Sequence, residues 1–190
     1  MRRIVGLLGL LLVVMVAMTS CDSWLEGAES EASLSNLTED VDFEAESVVG
    51  NHFSGVYASY KSSENFFLEF VGAEREGVKD VLVLDLIAPQ GTKTIEGEYV
   101  VGYQGDYIAL SRYDVVDQTT GMFFSGGSFY AEAIGNRLTD YMGFLTEGRV
   151  TISRIEEGNY QVVVDAKSEL HTVKMTYSGT VPIRENGQTE

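Results

Sequence analysis

Few side chains in this chain are of a type and spacing that could do chemistry. The first is Cys21, the only cysteine in 190 residues. It stands where an uncharged run, Ile4 to Met18, gives way through Thr19 and Ser20 to the acid Asp22. A thiol is the most nucleophilic side chain available, and this one stands directly after two small residues. The remaining candidates are two imidazoles, His52 and His171, and a carboxylate in an apolar setting, Asp85 within Val81-Leu82-Val83-Leu84-Asp85-Leu86-Ile87. Glu96 and Glu98 are spaced to share one face of a strand, about 7 Å apart, as a general acid and base would need. No H-E-x-x-H, G-x-S-x-G, G-x-G-x-x-G or P-loop pattern occurs. Asp114, Asp117 and Gly121 fall short of calcium-loop spacing. No metal, no cofactor and no catalysis are expected.

Arg2 and Arg3 precede the apolar run, which is shorter than the roughly 20 residues a spanning helix needs. The order is basic pair, apolar run, two small residues and then cysteine. It resembles the lipobox of bacterial lipoproteins, in which the thiol receives diacylglycerol and the leader is removed. Met18-Thr19-Ser20-Cys21 departs from its commonest form, which has Leu and then Ala or Gly. A plain membrane anchor and an unlipidated secretory signal are the alternatives, and neither explains why a cysteine stands there. The resemblance implies residues 1–20 as leader and Cys21 as the lipid attachment site, which leaves no thiol for a nucleophile or a thiolate metal site. It also implies an address in the envelope of a Gram-negative bacterium, at the outer membrane. Acidic residues directly after the cysteine act as sorting signals, for inner-membrane retention in some bacterial groups and for surface display in others, so inner against outer membrane, and the leaflet, stay open.

Residues 21–51 carry nine acidic side chains and no Lys or Arg, with no sustained hydrophobic period. That composition predicts an acidic, flexible tether. The formal charge of −16 becomes −18 once Arg2 and Arg3 leave with the leader. A chain so acidic, with no cluster of basic residues, is no nucleic-acid binder and is not drawn to anionic headgroups.

Residues 52–184 read as one domain of short strands, followed by a tail over 185–190. Tyr160, Val162 and Val164 alternate with polar neighbours, and so do Val173, Met175 and Tyr177. Glu156-Glu157-Gly158-Asn159 supplies hairpin chemistry between Val150–Ser153 and Tyr160–Val164. Further strands are expected at 53–60, 66–71, 81–87, 97–101, 107–115 and 122–130, with one short helix within 132–142. The class is all-β: a single antiparallel barrel of about eight or nine strands, with a β-sandwich as the alternative. Gly-x-Tyr recurs at Gly55, Gly97, Gly105 and Gly158. Those tyrosines are expected to pack at strand starts, with carbohydrate stacking as the alternative reading.

The lipobox, the acidic leash and the Gly-aromatic hairpins together resemble the uncharacterised lipoproteins of gut and oral Gram-negative anaerobes that carry a calycin-like, lipocalin-like domain. The endings "GRVTISRIEEGNYQVVVDA" and "VKMTYSGTV" carry most of that likeness. The lipocalin Gly-x-Trp signature is missing, since the only tryptophan is Trp24. The resemblance implies an up-and-down barrel open at one end to a small apolar ligand, without catalysis.

In such a body His171, in phase with Val173, is a core or rim residue or a ligand contact. Asp85 is an outward carboxylate, a structural ion pair with Arg112, Arg149 or Arg154, or a polar group in a ligand cavity. His52, at the tether boundary, is expected to be solvated. The leading functional expectation is a non-enzymatic, membrane-anchored protein binding a small apolar or amphiphilic ligand or a partner protein. An adhesive or assembly subunit with exposed strand edges is the alternative. A glycan hydrolase using Glu96 and Glu98 is the third.

Overall fold

The computed structural model describes residues 40–54, 63–116 and 123–185, and all regular structure among them is strand. The strands are β1 (Val41–Ser54), β2 (Ser63–Arg75), β3 (Val78–Pro89), β4 (Gly97–Gly102), β5 (Ile108–Leu110) and β6 (Tyr113–Val116). They continue with β7 (Phe123–Gly126), β8 (Phe129–Ile134), β9 (Arg137–Glu156), β10 (Asn159–Ser168), β11 (Thr172–Thr180) and β12 (Ile183–Glu185). The all-β class expected from alternation is therefore present. The leader, Cys21 and most of the expected tether lie outside the described residues.

One sheet closes on itself as a ring of eight strands, β9-β10-β11-β1-β2-β3-β5-β4 and back to β9. β8 joins β3 directly to β9 further along the same seam, β12 lies beside β1, and β6 and β7 form a hairpin of their own. Continuous pairing around the ring favours the closed sheet over two stacked sheets. The implied up-and-down order needs correcting, because β1 runs parallel to β11 and β12, and β4 runs parallel to β5.

Two further expectations are overturned. The acidic segment does not remain a tether as far as residue 51, because β1 already begins at Val41. Its charges are one side of a strand: Asp42, Glu44 and Glu46 face water, while Phe43, Ala45 and Val48 are buried. A bulge between Ala45 and Ser47 breaks the period there, which conceals the alternation. Residues 132–142 hold no helix; they form the β8–β9 hairpin, turning at Gly135-Asn136.

The core fills the ring. Leu68, Phe70, Leu82, Leu84, Leu86, Tyr99, Val150, Val162, Val173 and Met175 have no accessible surface. At roughly 25 cal/mol per Å² of apolar area removed from water, burial on this scale supplies most of the drive for closure. The repeated glycine-aromatic pairs serve this packing: Tyr99 and Tyr160 are core residues, and Tyr107 meets Tyr99 edge-on at 5.3 Å. Tyr57 lies outside the described residues.

β3 is apolar on both faces because it is covered on both. Leu82, Leu84 and Leu86 enter the main core, while Val81 and Val83 join Ala133, Phe67 and Phe129 on the outer side.

Candidate functional site

Asp85 shares the outer phase of Val81 and Val83, so it points away from the ring interior, yet only 1% of it is exposed. Asn65 donates through Nδ2 to Asp85 Oδ1 at 2.6 Å and to the Leu86 carbonyl at 3.1 Å. The three arginines considered as partners pair elsewhere, Arg112 with Asp114, Arg149 with Glu98 and Arg154 with Glu96. The reason for a buried polar group here is the seam. On the β3–β9 seam the chain changes from β8 to the β5–β4 pair, and a ladder cannot continue through that exchange. Two serine hydroxyls and local backbone bonds take over. The Asp85 N–H donates to Ser128 Oγ, Ser111 Oγ donates to the Leu145 carbonyl, and the Leu145 N–H donates to the Ser128 carbonyl. Buried backbone groups must be paired, and this cluster pairs them. Asp85 belongs to the joint that closes the ring.

His171 lies where sequence phase put it, facing inward just before β11, at the end of the ring where β1 begins. It is 9% exposed. Its Nδ1 is 3.1 Å from the Tyr141 hydroxyl, the Tyr141 ring stacks on it at 5.6 Å, and the Tyr130 ring meets it edge-on at 5.2 Å. Its Nε2 is buried with no hydrogen-bond partner among the described residues. Tyr130 donates its hydroxyl to Asp80 Oδ1 at 2.8 Å, and Arg75 pairs with the other oxygen of that carboxylate. Burial and then the Asp80 carboxylate raise the Tyr130 phenol well above the usual range, so it stays a donor. Asp80 and Tyr130 were legible in principle, since Asp80 is in phase with Leu82 and Leu84. The sequence reading missed both, and His171 and Asp85 do not share a site.

His52 is not solvated. Its side chain is 15% exposed and stacks on Phe66 at 4.6 Å. Nε2 is 3.0 Å from Glu64 and Nδ1 is 2.8 Å from Glu185, so one imidazole ties β1, β2 and β12 together at the opposite end of the ring. Both ring nitrogens are engaged, and Ser54 bonds the Glu64 carboxylate rather than the imidazole. That order does not make a nucleophile and its base. Glu64 also accepts the Gly91 N–H at 2.8 Å, and this bond chiefly holds its carboxyl below the usual value.

Two of these groups set a pH dependence with the same sign. Burial lowers His171 below its ordinary value of 6.5, with Asp40 opposing. The unfolded chain therefore binds the proton first, and stability falls as pH drops below about 6.5. Glu64, held below its ordinary 4.5, contributes stability that is lost as pH falls below that value. Urea unfolding midpoints are expected to decline in two stages on acidification. His171→Gln should flatten the upper stage and leave the lower one, and an unchanged profile would contradict this assignment.

Glu96 and Glu98 are each held by an arginine, and Glu96 also accepts from Thr94 Oγ1 at 3.2 Å. Among the described residues, no group of three or more His, Cys, Asp or Glu is arranged to hold a metal ion. A shallow depression of about 410 Å³ opens on the outer wall, lined by Gly148, Arg149, Thr151, Val163 and Asp165. Val163 and the nearby Val100 are substantially exposed on this wall, with Arg149 between Val100 and Asp165 in register. No protein-family model, curated protein or solved structure matches the chain.

Proposed function

We propose that this is a lipid-anchored envelope protein of a Gram-negative bacterium, held at the outer membrane through Cys21, that works by binding a partner protein rather than by catalysis. The observation that carries the anchoring is the sequence itself: a single cysteine directly after a basic pair, an uncharged run and two small residues. Two or three acyl chains at about 0.8 kcal/mol per buried methylene make such an anchor effectively permanent. The resemblance to calycin-like lipoproteins supports a non-catalytic role.

Between a small ligand and a protein partner, the packing favours the partner. A chamber for a ligand would leave the surrounding side chains accessible to a water-sized sphere, and Leu68, Leu84, Val150, Val162, Val173 and Met175 are fully buried. The outer wall of β4, β9 and β10 offers apolar Val100 and Val163 bordered by the opposite charges of Arg149, Glu98 and Asp165. That mixture suits a modest protein interface. Closure of the ring leaves little free strand edge, which speaks against the strand-addition reading.

A photoreactive residue at Val163 should crosslink to a discrete envelope protein in living cells, and the crosslink should vanish when Arg149 is reversed to Glu. A wall that yields no adduct, while the protein is present at normal level, would count against this surface.

A further inference from the structure

Among the described residues, exposed apolar side chains gather at the end of the ring where β1 begins, while at the opposite end Ile155 is also exposed. Around the end where β1 begins, the β8–β9 hairpin and the β10–β11 turn carry Ile134, Leu138, Met142 and Leu170, at 59%, 41%, 37% and 43% exposure. Leu138 lies across from Ala133 and Met142 across from Ala131, and the same outer face continues into the Val81, Val83 and Phe129 cluster. Leu170 comes within contact of Gly143, next to Met142. Single exposed aliphatic residues are ordinary, but several gathered around one end of a fold call for an occupant.

The chain's own geometry names that occupant. Asp22 to Asp40 is 19 residues and leads into β1 at Val41, at this same end. A flexible coil of that length has a typical reach of roughly 25 Å. The ring wall is of similar height: strands like β2, with 13 residues, tilted as in closed sheets, rise roughly 30 Å. A chain anchored at Cys21 therefore brings the Val41 end to the bilayer without strain, whereas the Ser54 end reaches it only if the linker stretches past the whole wall. The charges around this end, Arg75, Lys79 and Arg137 against Asp40, Glu74, Glu76, Asp80, Glu132, Asp140 and Glu169, sum to negative, so anionic headgroups do not attract it. What remains attractive is the apolar set.

We propose that the Val41 end of the ring is a bilayer-contact surface, with Ile134, Leu138, Met142 and Leu170 set among the headgroups of a zwitterionic membrane. This rests on the lipid anchor at Cys21 and adds an orientation to it. The wall around Val163 and the Ser54 end, with its Glu64–His52–Glu185 clasp, then face away from the membrane toward a partner.

The test uses the full lipidated chain in phosphatidylcholine vesicles whose acyl chains are brominated. Trp24→Phe removes the natural fluorophore, and a single tryptophan is placed by Ile134→Trp, by Leu138→Trp or, at the far end, by Glu157→Trp. At positions 134 and 138 emission should fall by roughly half relative to unbrominated lipid, as for side chains reaching the boundary between headgroups and acyl chains. At position 157 it should not change. Equal emission in both lipids at all three positions, in vesicles that carry the protein, overturns the contact surface and leaves the anchor standing. Quenching that appears only when anionic lipid is added overturns the choice of a zwitterionic surface. A chain that stays out of the floated vesicles overturns both anchor and surface.

Discussion

Gly148→Ala should cost on the order of 3–5 kcal/mol, among the largest losses expected from adding one methyl group to this molecule. Gly148 has φ of 129°, and a Cβ there would sit 2.4 Å from the Ala166 Cα and 2.5 Å from the Asp165 carbonyl oxygen. Both obstacles are backbone of β10, which cannot rotate aside as a side chain would. β9 pairs with β10 directly at this point, Gly148 against Ala166, so relieving the contact means prying apart two strands of the ring. Gly77→Ala is the matched control. Gly77, in the β2–β3 turn, has φ of 85°, and nothing lies within 4 Å of its would-be Cβ. It carries conformational strain alone, worth about 1–2 kcal/mol. Urea unfolding of both variants separates the two effects, and equal losses would mean that β9 and β10 do not approach as described.

Cys21→Ser is expected to have the largest effect on where the protein resides. Without the thiol no diacylglycerol can be attached, and the leader peptidase that requires a lipidated cysteine does not cut. The variant should accumulate with residues 1–20 still joined and incorporate no labelled palmitate in growing cells, while the ring folds as before. The affinity supplied by the proposed anchor would be large, since each buried methylene is worth about 0.8 kcal/mol and a diacylglycerol contributes two long chains. The same labelling experiment on Cys21→Ala should give the same result, because the hydroxyl of serine plays no part in it. Palmitate incorporation that persists in either variant would place the lipid elsewhere.

What sequence pattern revealed and what it hid follows from local against nonlocal causes. Alternation at Tyr160–Val164 and Val173–Tyr177 is a local signal, and those segments became β10 and β11 with the expected residues inside. β1 was hidden because its outer face is acidic and a bulge shifts its phase, so charge density outweighed a broken period. The β8–β9 hairpin was hidden because the two strands share a register shift around Glu132, which disturbs alternation enough to resemble a helical turn. The parallel pairing of β1 with β11 joins the two ends of the domain, and no window of neighbouring residues contains that information.

Site residues divide in the same way. His171 was placed on the inward face by phase alone. Asp85 stands out in the sequence as a carboxylate among leucines and valines. Its explanation lies in Asn65, Ser111 and Ser128, which are brought to it only by the exchange of strands at the seam. Composition puts His52 on a boundary that the fold does not have; β1 carries it inside, where Glu64 and Glu185 hold it.

The proposal as a whole depends on how the chain is finished at its amino end, and the intact mass of the protein purified from its native membrane tests this most directly. The predicted mass is that of a polypeptide starting at Cys21 plus a thioether-linked diacylglycerol, with or without a further acyl group on the new terminus. A mass that includes the first twenty residues, or one in which Cys21 is unmodified, would contradict it.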